Sequence, residues 1–410
     1  MTMLRRLLPM LVAIALAALA LSYAPRAALG PPWLLGVVAA LAIAWVVLAP
    51  TRTVRDDLLP ALAVLLSGLG LAVVARLSPI LAQKQELWLI VSLALAIAAA
   101  PVFSAFRRFA AYKYVWVLAS LALFVMLLGF GKEVNGARLW IRLGPIEYEP
   151  IELIKLFVVL FLAAYLAETA DVIANTRPWS LRANLKYLGP LLIGWGSSMA
   201  ILVLQRDLGM ATLLLATFAT MLAVATRRLD IVLFGALLFV VGAFWAVHHY
   251  PYVQTRIAVW RDPFADPLGA GYQSSQAYYS LSAGGLVGSG YRLGHPQFIP
   301  DVATDYVYAA FSEEFGAIGA IALLAVFLDL VRRIFATGLE QPDLYSKLLA
   351  TGLGATLGFQ VVIIVAGVIG LLPLTGITLP FISYGGSSLV ANFVLVALVW
   401  AMSAHQRRTA

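Results

Sequence analysis

The sequence predicts an all-α polytopic membrane protein, and three observations carry that reading. Hydrophobic residues make up 62% of the chain and charged residues only 12%, with a mean hydropathy of +0.93. A soluble domain of that composition would leave far too much apolar surface in water. Apolar stretches of about 20 residues, the length a helix needs to cross a bilayer, recur along the whole chain. The one long break in that pattern, residues 250–307, is polar and rich in glycine and proline.

Twelve spans are expected, near 7–23, 32–49, 58–75, 86–100, 113–130, 150–167, 187–204, 208–226, 230–248, 308–330, 348–370 and 387–403. The first follows Arg5 and Arg6 in the manner of a signal peptide. Apolar sequence resumes at Pro32, however, and the span is read as a retained helix. The segment 50–57 is the most linker-like inner loop. Residues 1–57 therefore read as two additional N-terminal transmembrane helices, and 58–410 as a ten-helix body carrying the 250–307 loop.

Orientation follows from lysine and arginine. With the N-terminus inside, the inner loops hold seventeen of these residues and the outer loops ten. Both termini are expected in the cytoplasm and the 250–307 loop outside. The chain has no cysteine, and its four histidines show no ligand spacing, so neither a disulfide framework nor a zinc site is expected. The formal charge of +8 reports topology and contact with anionic membrane lipid, not nucleic acid.

The polar constellations follow in chain order. In 131–145, Arg138 and Arg142 stand four apart among Leu139, Trp140, Ile141 and Leu143. That pattern suits a short interfacial element, with Trp140 at headgroup depth and the cations toward phosphate; an ordinary aromatic belt with snorkelling arginines would look the same. Pro150 opens the next span, and Glu152 and Lys155 follow at i,i+3 spacing, on one face of a helix. Ionisable groups at membrane depth are costly and usually face a cavity. Between two spans, Gln205-Arg206-Asp207-Leu208-Gly209 makes a tight outer turn, where Asp207 also fits as a helix cap. The long loop centres on Arg261-Asp262-Pro263-Phe264-Ala265-Asp266-Pro267-Leu268-Gly269-Ala270-Gly271-Tyr272-Gln273. Its aromatic residues favour a folded loop over a floppy one. The glycines of 284–290 fit tight turns and not a dinucleotide fingerprint, since no βαβ unit is available. Asp305, Glu313 and Glu314 gather at the outer start of a helix, where acids are favoured in any case. Finally, Leu379–Leu389 is a Pro/Gly/Ser break before the last span, expected to be a cavity wall.

Seven of these segments, Asn135–Gly144, Pro150–Lys155, Gln205–Gly209, Asp262–Gln273, Gly284–Gly290, Thr304–Gly316 and Leu379–Leu389, resemble in the same order the signature segments of the SEDS family (shape, elongation, division and sporulation). Members of that family, RodA and FtsW, are bacterial peptidoglycan polymerases. The likeness spans roughly residues 58–405. It implies a ten-helix glycosyltransferase of the bacterial cytoplasmic membrane that joins lipid II units into a growing glycan strand, with a class B penicillin-binding protein as partner. It implies that Asp266 is the essential acid and that Glu152, Lys155 and Asp207 carry conserved roles. Arg138, Trp140, Arg206, Arg261, Asp305 and Glu314 are the further substrate-binding candidates. The chain departs from the family pattern at Leu139, where an arginine commonly precedes the tryptophan, at Arg206, which stands for a common proline, and at Met210, which stands for a common threonine.

The chemistry matches these residue types. Joining sugars from a polyprenyl-pyrophosphate donor needs a base for the attacking hydroxyl and positive charge for the departing pyrophosphate. Asp266 lies on a backbone stiffened by Pro263 and Pro267. Arg261, Arg138, Arg142, Lys155 and Arg206 are the available cations. No cofactor is required by the pattern, although a divalent cation (magnesium or manganese) would serve the same end. Two rival readings use the same features: a transporter that flips lipid-linked precursors, against which stands the absence of an internal repeat, and a non-catalytic division scaffold, which has no need of Asp266.

Overall fold

The computed structural model describes residues 3–25, 28–48, 55–134, 137–144, 146–176 and 207–404, with single positions 186, 189 and 196 between. The expected spans fall on helices α1 (Met3–Ser22), α2 (Pro32–Val47), α3 (Leu58–Leu77), α4 (Pro79–Phe103), α5 (Lys113–Phe130), α6 (Ile151–Asn175), α7 (Leu208–Thr226), α8 (Leu229–His249), α11 (Val307–Leu339), α12 (Leu344–Val368) and α13 (Gly386–Ser403). Among the described residues, nine helices are long and apolar enough to cross a membrane. α1 and α2 add two shorter apolar stretches, and the span expected at 187–204 lies outside the described residues. The protein is a multi-pass, all-α membrane protein.

Local chemistry sets the helix starts. Ser78 precedes Pro79, and its hydroxyl accepts from the Leu81 N–H at 3.5 Å. Asp343 caps α12 by accepting from Ser346 N at 2.8 Å. The centre of the bundle is α3, α6, α12 and α13, which are mostly buried, whereas α8 buries none of its residues. Hydrophobicity does not drive helices together inside lipid; close packing and interhelical polar bonds do. α1 packs on α3, α2 on α4, α13 on α4, and α12 on α6, α7 and α11.

Three features depart from the sequence reading. First, the segment after α5 is a small antiparallel sheet, β1 (Lys132–Val134), β2 (Ala137–Leu143) and β3 (Ile146–Tyr148), in the order β1-β2-β3. Trp140 faces Lys132 and Arg142 faces Glu147 across it. The alternation of polar and apolar residues there has a period of two as readily as a spacing of four. Second, the end of the linker-like 50–57 loop is tied down. Arg6 pairs with Asp57 at 3.3 Å, Arg333 with Asp56 at 2.9 Å, and the Arg55 guanidinium lies 4.7 Å from the Trp400 ring. Third, Glu313 and Glu314 do not open a helix. They lie inside α11, just before a break at Gly316 (φ 67°, ψ −175°). There the glycine-rich segment 285–290 supplies the bonds the helix lacks: Ala317 N donates to Gly285 O at 2.9 Å, and Ser289 N to Glu313 O at 2.9 Å. A Cβ on residue 316 would come within 2.3 Å of Gly288 N, so only glycine fits.

The 250–307 loop is folded. It contains α9 (Pro251–Arg261), α10 (Tyr272–Gly284) and a short 3₁₀ turn at Pro296–Phe298, and α10 packs on α11.

Candidate active site

α9 ends at Asp262, whose backbone turns extended (φ −150°, ψ 92°). The Asp262 carboxylate accepts from Phe264 N at 3.0 Å. The chain then turns so that Asp266 receives two amides, Gly269 N on Oδ1 at 3.0 Å and Ala270 N on Oδ2 at 2.9 Å. Any side chain at 269 would place a Cβ 2.2 Å from Asp266 Oδ2, so the glycine is what lets the carboxylate sit on these amides. Pro263 is buried and its carbonyl accepts from Ser275 Oγ at 3.0 Å, which ties the turn to α10. Asp266 itself is exposed. Each carboxylate oxygen accepts one amide and keeps a further lone pair for another donor. Arg261, one turn away in sequence, is exposed as well.

A second group of polar residues lies deeper. Lys155 and Glu152 form an ion pair, as their i,i+3 spacing predicts, and they are 0% and 3% exposed. Lys155 Nζ donates to Gln360 Oε1 at 2.8 Å, and Gln360 Nε2 to Thr378 O at 2.9 Å. Thr378 and Ser388 bond through their hydroxyls at 2.9 Å, and Asn392 Nδ2 donates to Ser388 O at 2.8 Å. Glu149 N donates to Ser387 Oγ at 2.8 Å. The break at 379–389 is thus a wall of this cluster. Its irregular backbone is satisfied: Gln85 Nε2 donates to Ser383 O at 3.2 Å, and Tyr384 N to Ala303 O at 2.8 Å.

Asp207, Asp305 and Arg256 form a third group beside that cluster. Asp207 caps α7, its Oδ1 accepting from Met210 N at 2.9 Å. Burial pushes the Asp207 carboxyl up to about 6, opposed by that N–H and by Arg256, with Glu152 raising it further. Asp305 is likewise pushed up to about 6 by burial, opposed by Thr304 and Arg256. Glu149 is held well above the usual carboxylate range by burial and then by Glu152 and Asp207. Arg256, on α9 of the 250–307 loop, therefore acts electrostatically on both acids. Its Nη1 also donates to Leu374 O at 3.4 Å and Thr375 O at 3.3 Å. Next to it lies a cavity of about 260 Å³, bounded by α9, α10, the 301–306 turn and the segment 367–376.

Of the residues singled out in the sequence, Glu152, Lys155, Asp207 and Asp305 come together around Glu149, and Asp266 and Arg261 are exposed on the turn after α9. Glu314 does not join either group. It pairs with Arg76 at 3.0 Å, and Arg76 Nη2 also donates to Gly294 O at 3.0 Å, so the pair fastens the 250–307 loop to α3. Trp140 is half-buried on β2. Arg206 and the side chain of Arg138 lie outside the described residues. Sequence reasoning passed over Glu149, Arg256 and Gln360 as site members. The signal for Gln360 was present, as an amide in an otherwise apolar span. Arg256 and Glu149 carry no local signal, because their partners are distant in sequence.

The FtsW/RodA/SpoVE model, described as cell cycle protein, matches residues 57–408. The chain belongs to that family. It is 36% identical over 369 residues to the peptidoglycan glycosyltransferase RodA of Mycobacterium tuberculosis, covering 86% of this chain and 79% of that relative. It is 36% identical over 289 residues to stage V sporulation protein E of Bacillus subtilis, covering 70% and 77%. A solved structure of a peptidoglycan synthase complex, on the coordination of polymerization and crosslinking, matches with a TM-score of 0.69 at 31% identity, over 86% of this chain and 99% of that one. The crystal structure of the Thermus thermophilus rod shape determining protein RodA matches with a TM-score of 0.62 at 27% identity, over 87% and 99%. The SEDS resemblance drawn from the seven motifs is therefore a family membership.

Proposed function

We infer that this chain is a peptidoglycan glycosyltransferase, the activity that names its mycobacterial relatives, and that it polymerises lipid II at the outer face of the bacterial cytoplasmic membrane. The observation that carries the reading is Asp266: an exposed carboxylate, fixed by two backbone amides, in the same loop as Arg256, which acts on the acids Asp207 and Asp305. In the proposed step, Asp266 takes the proton of the acceptor sugar hydroxyl. The hydroxyl oxygen bonds to the anomeric carbon of the lipid-linked donor, and the bond from that carbon to the pyrophosphate oxygen breaks. The undecaprenyl pyrophosphate leaves with the electron pair, its charge met by cations of the outer rim such as Arg261 and Arg142. Lys155 and Glu152 hold α6 against α12 beneath the site. A class B penicillin-binding protein is the proposed partner, by likeness to the synthase complex. Residues 1–57, which precede all but one position of the family match, are read as an addition to the family body.

The test is polymerisation of purified lipid II by the purified chain, alone and with a class B penicillin-binding protein. Glycan strands that depend on Asp266 support the reading. Movement of a lipid-linked precursor across vesicles without strand formation would favour the transporter, and neither activity would favour the scaffold. For orientation, Ser289→Cys should react with an impermeant thiol reagent in intact cells, and Glu340→Cys only after permeabilisation; the reverse pattern overturns the topology.

A further inference from the structure

The cavity of about 260 Å³ beside Arg256 has no role in the step above. It is smaller than the roughly 300–1,000 Å³ of pockets that enclose drug-sized ligands, so it holds one ring and not a disaccharide. Its walls are of two kinds. Trp260 and Tyr278 contribute aromatic surface, and Gln273, Asp301, Asp305 and Arg256 contribute polar edges. A pyranose has the same two faces: C–H groups that pack on aromatic rings, and a rim of hydroxyls that need donors and acceptors.

The polar groups are already oriented. Trp260 Nε1 donates to Gly370 O at 3.0 Å, which fixes the indole. Gln273 Nε2 donates to Pro300 O at 2.8 Å, leaving the amide oxygen as an acceptor. Arg256 uses Nη1 for the carbonyls of Leu374 and Thr375 and keeps Nε and Nη2 as donors. The charged lining is two acids against one arginine, which suits a neutral hydroxylated ring and not a pyrophosphate. Position completes the case. Ala270 lines the cavity, and its N–H is the one that holds Asp266 Oδ2 at 2.9 Å.

We propose that this cavity is the subsite for the acceptor sugar ring, with Trp260 as its stacking platform and Gln273 and Arg256 as its hydrogen-bonding edge. A ring seated there brings its hydroxyl to the base, while the pyrophosphate of the donor stays outside with the rim cations. The proposal rests on the glycosyltransferase reading and adds which substrate part binds where.

The experiment uses the full-length chain in detergent or nanodiscs. Trp260→Ala and Gln273→Ala should each raise the apparent KM for lipid II on the order of 10-fold, with kcat changed far less. Trp260→Phe should recover most of the loss. In saturation-transfer NMR, a soluble peptidoglycan disaccharide without lipid or pyrophosphate should receive transfer from the wild-type chain, on one ring more than the other, and lose it with Trp260→Ala. If Trp260→Ala does not fold, because its bond to Gly370 also braces α9, then Gln273→Ala decides. If the wild type polymerises lipid II while Gln273→Ala keeps KM within twofold and the disaccharide receives no transfer, the subsite is overturned and the glycosyltransferase reading stands. If the wild type forms no strands under any condition, that reading falls first.

Discussion

Asp266 and Glu152 are carboxylates of one chain in opposite settings. Asp266 is exposed and held by the amides of Gly269 and Ala270. Glu152 is 3% exposed and paired with Lys155, which is fully buried. The outer acid can exchange water for a substrate hydroxyl without uncovering a buried charge. The inner acid cannot change partner without leaving Lys155 uncompensated, at a cost of several kcal/mol. On the proposed reading the difference separates two jobs: a fixed but accessible base at Asp266, and a rigid buried ion pair at Glu152 and Lys155. Between them, Arg256 of the 250–307 loop is felt by Asp207 and Asp305.

The comparison is broken most directly at Asp266. Asp266→Asn keeps the shape but puts an NH2 donor where one acceptor oxygen stood, giving up one of the two backbone amides, and it removes basicity; it should lower polymerisation about 100-fold to 10,000-fold with only a small change in thermal stability and with partner binding in place. Near wild-type strand formation by Asp266→Asn, with loss in Asp262→Asn, would move the base to Asp262. The same change made at the buried ion pair should act differently. Lys155→Ala or Glu152→Gln should cost on the order of 3–5 kcal/mol of stability, since each strands a buried charge or breaks its network. The double change should cost about as much as either single one, and additive losses in thermal unfolding would show that the two residues do not act as a unit.

pH separates stability from activity at the level between. The folded values of Asp207 and Asp305 are raised to about 6 by burial, above the unfolded value of about 4. The folded chain thus binds protons that the unfolded chain releases. This contribution to stability is present at acid pH and is lost as pH rises from about 4 through about 6. Activity should run the other way, rising through pH 6 as both acids ionise and hold Arg256. Between pH 7 and pH 5 the melting temperature should rise, after correction for other groups, while turnover falls. Asp305→Asn and Asp207→Asn should each reduce that rise, and an unchanged profile in both would show that these acids do not titrate as argued.

The spans, the folded outer loop and the pairing of Glu152 with Lys155 were legible because they rest on local rules: hydropathy, turn chemistry and i,i+3 spacing. The meeting of Glu149, Asp207, Asp305 and Arg256 was not, because the four residues come from segments up to about 150 positions apart and nothing local joins them. Glu313 and Glu314 misled for a related reason. Their place in the sequence suits a helix start, whereas the fold uses Glu314 to bind Arg76 and continues the helix past them to the break at Gly316. The strands at 132–148 were not assigned from the sequence, because a four-residue spacing and a two-residue period coincide on Arg138 and Arg142.

That sheet provides the smallest test of the same contrast. Arg142 and Glu147 face each other across β2 and β3, with 2.6 Å between Nη2 and Oε1. Both side chains are largely exposed, at 58% and 44%. Exposed pairs contribute roughly 0.2–1 kcal/mol because water and salt screen them and the long side chains lose freedom. Glu147→Ala should therefore change the melting temperature little, and that little should vanish at high salt. It should also release Arg142 toward anions at the outer rim. A lowered KM for lipid II in Glu147→Ala, reversed in Arg142→Ala, would place this arginine on the pyrophosphate side of the reaction. A stability loss as large as that of Lys155→Ala would instead show that the sheet is held as rigidly as the buried ion pair, and the division between an accessible rim and a fixed interior would have to be redrawn.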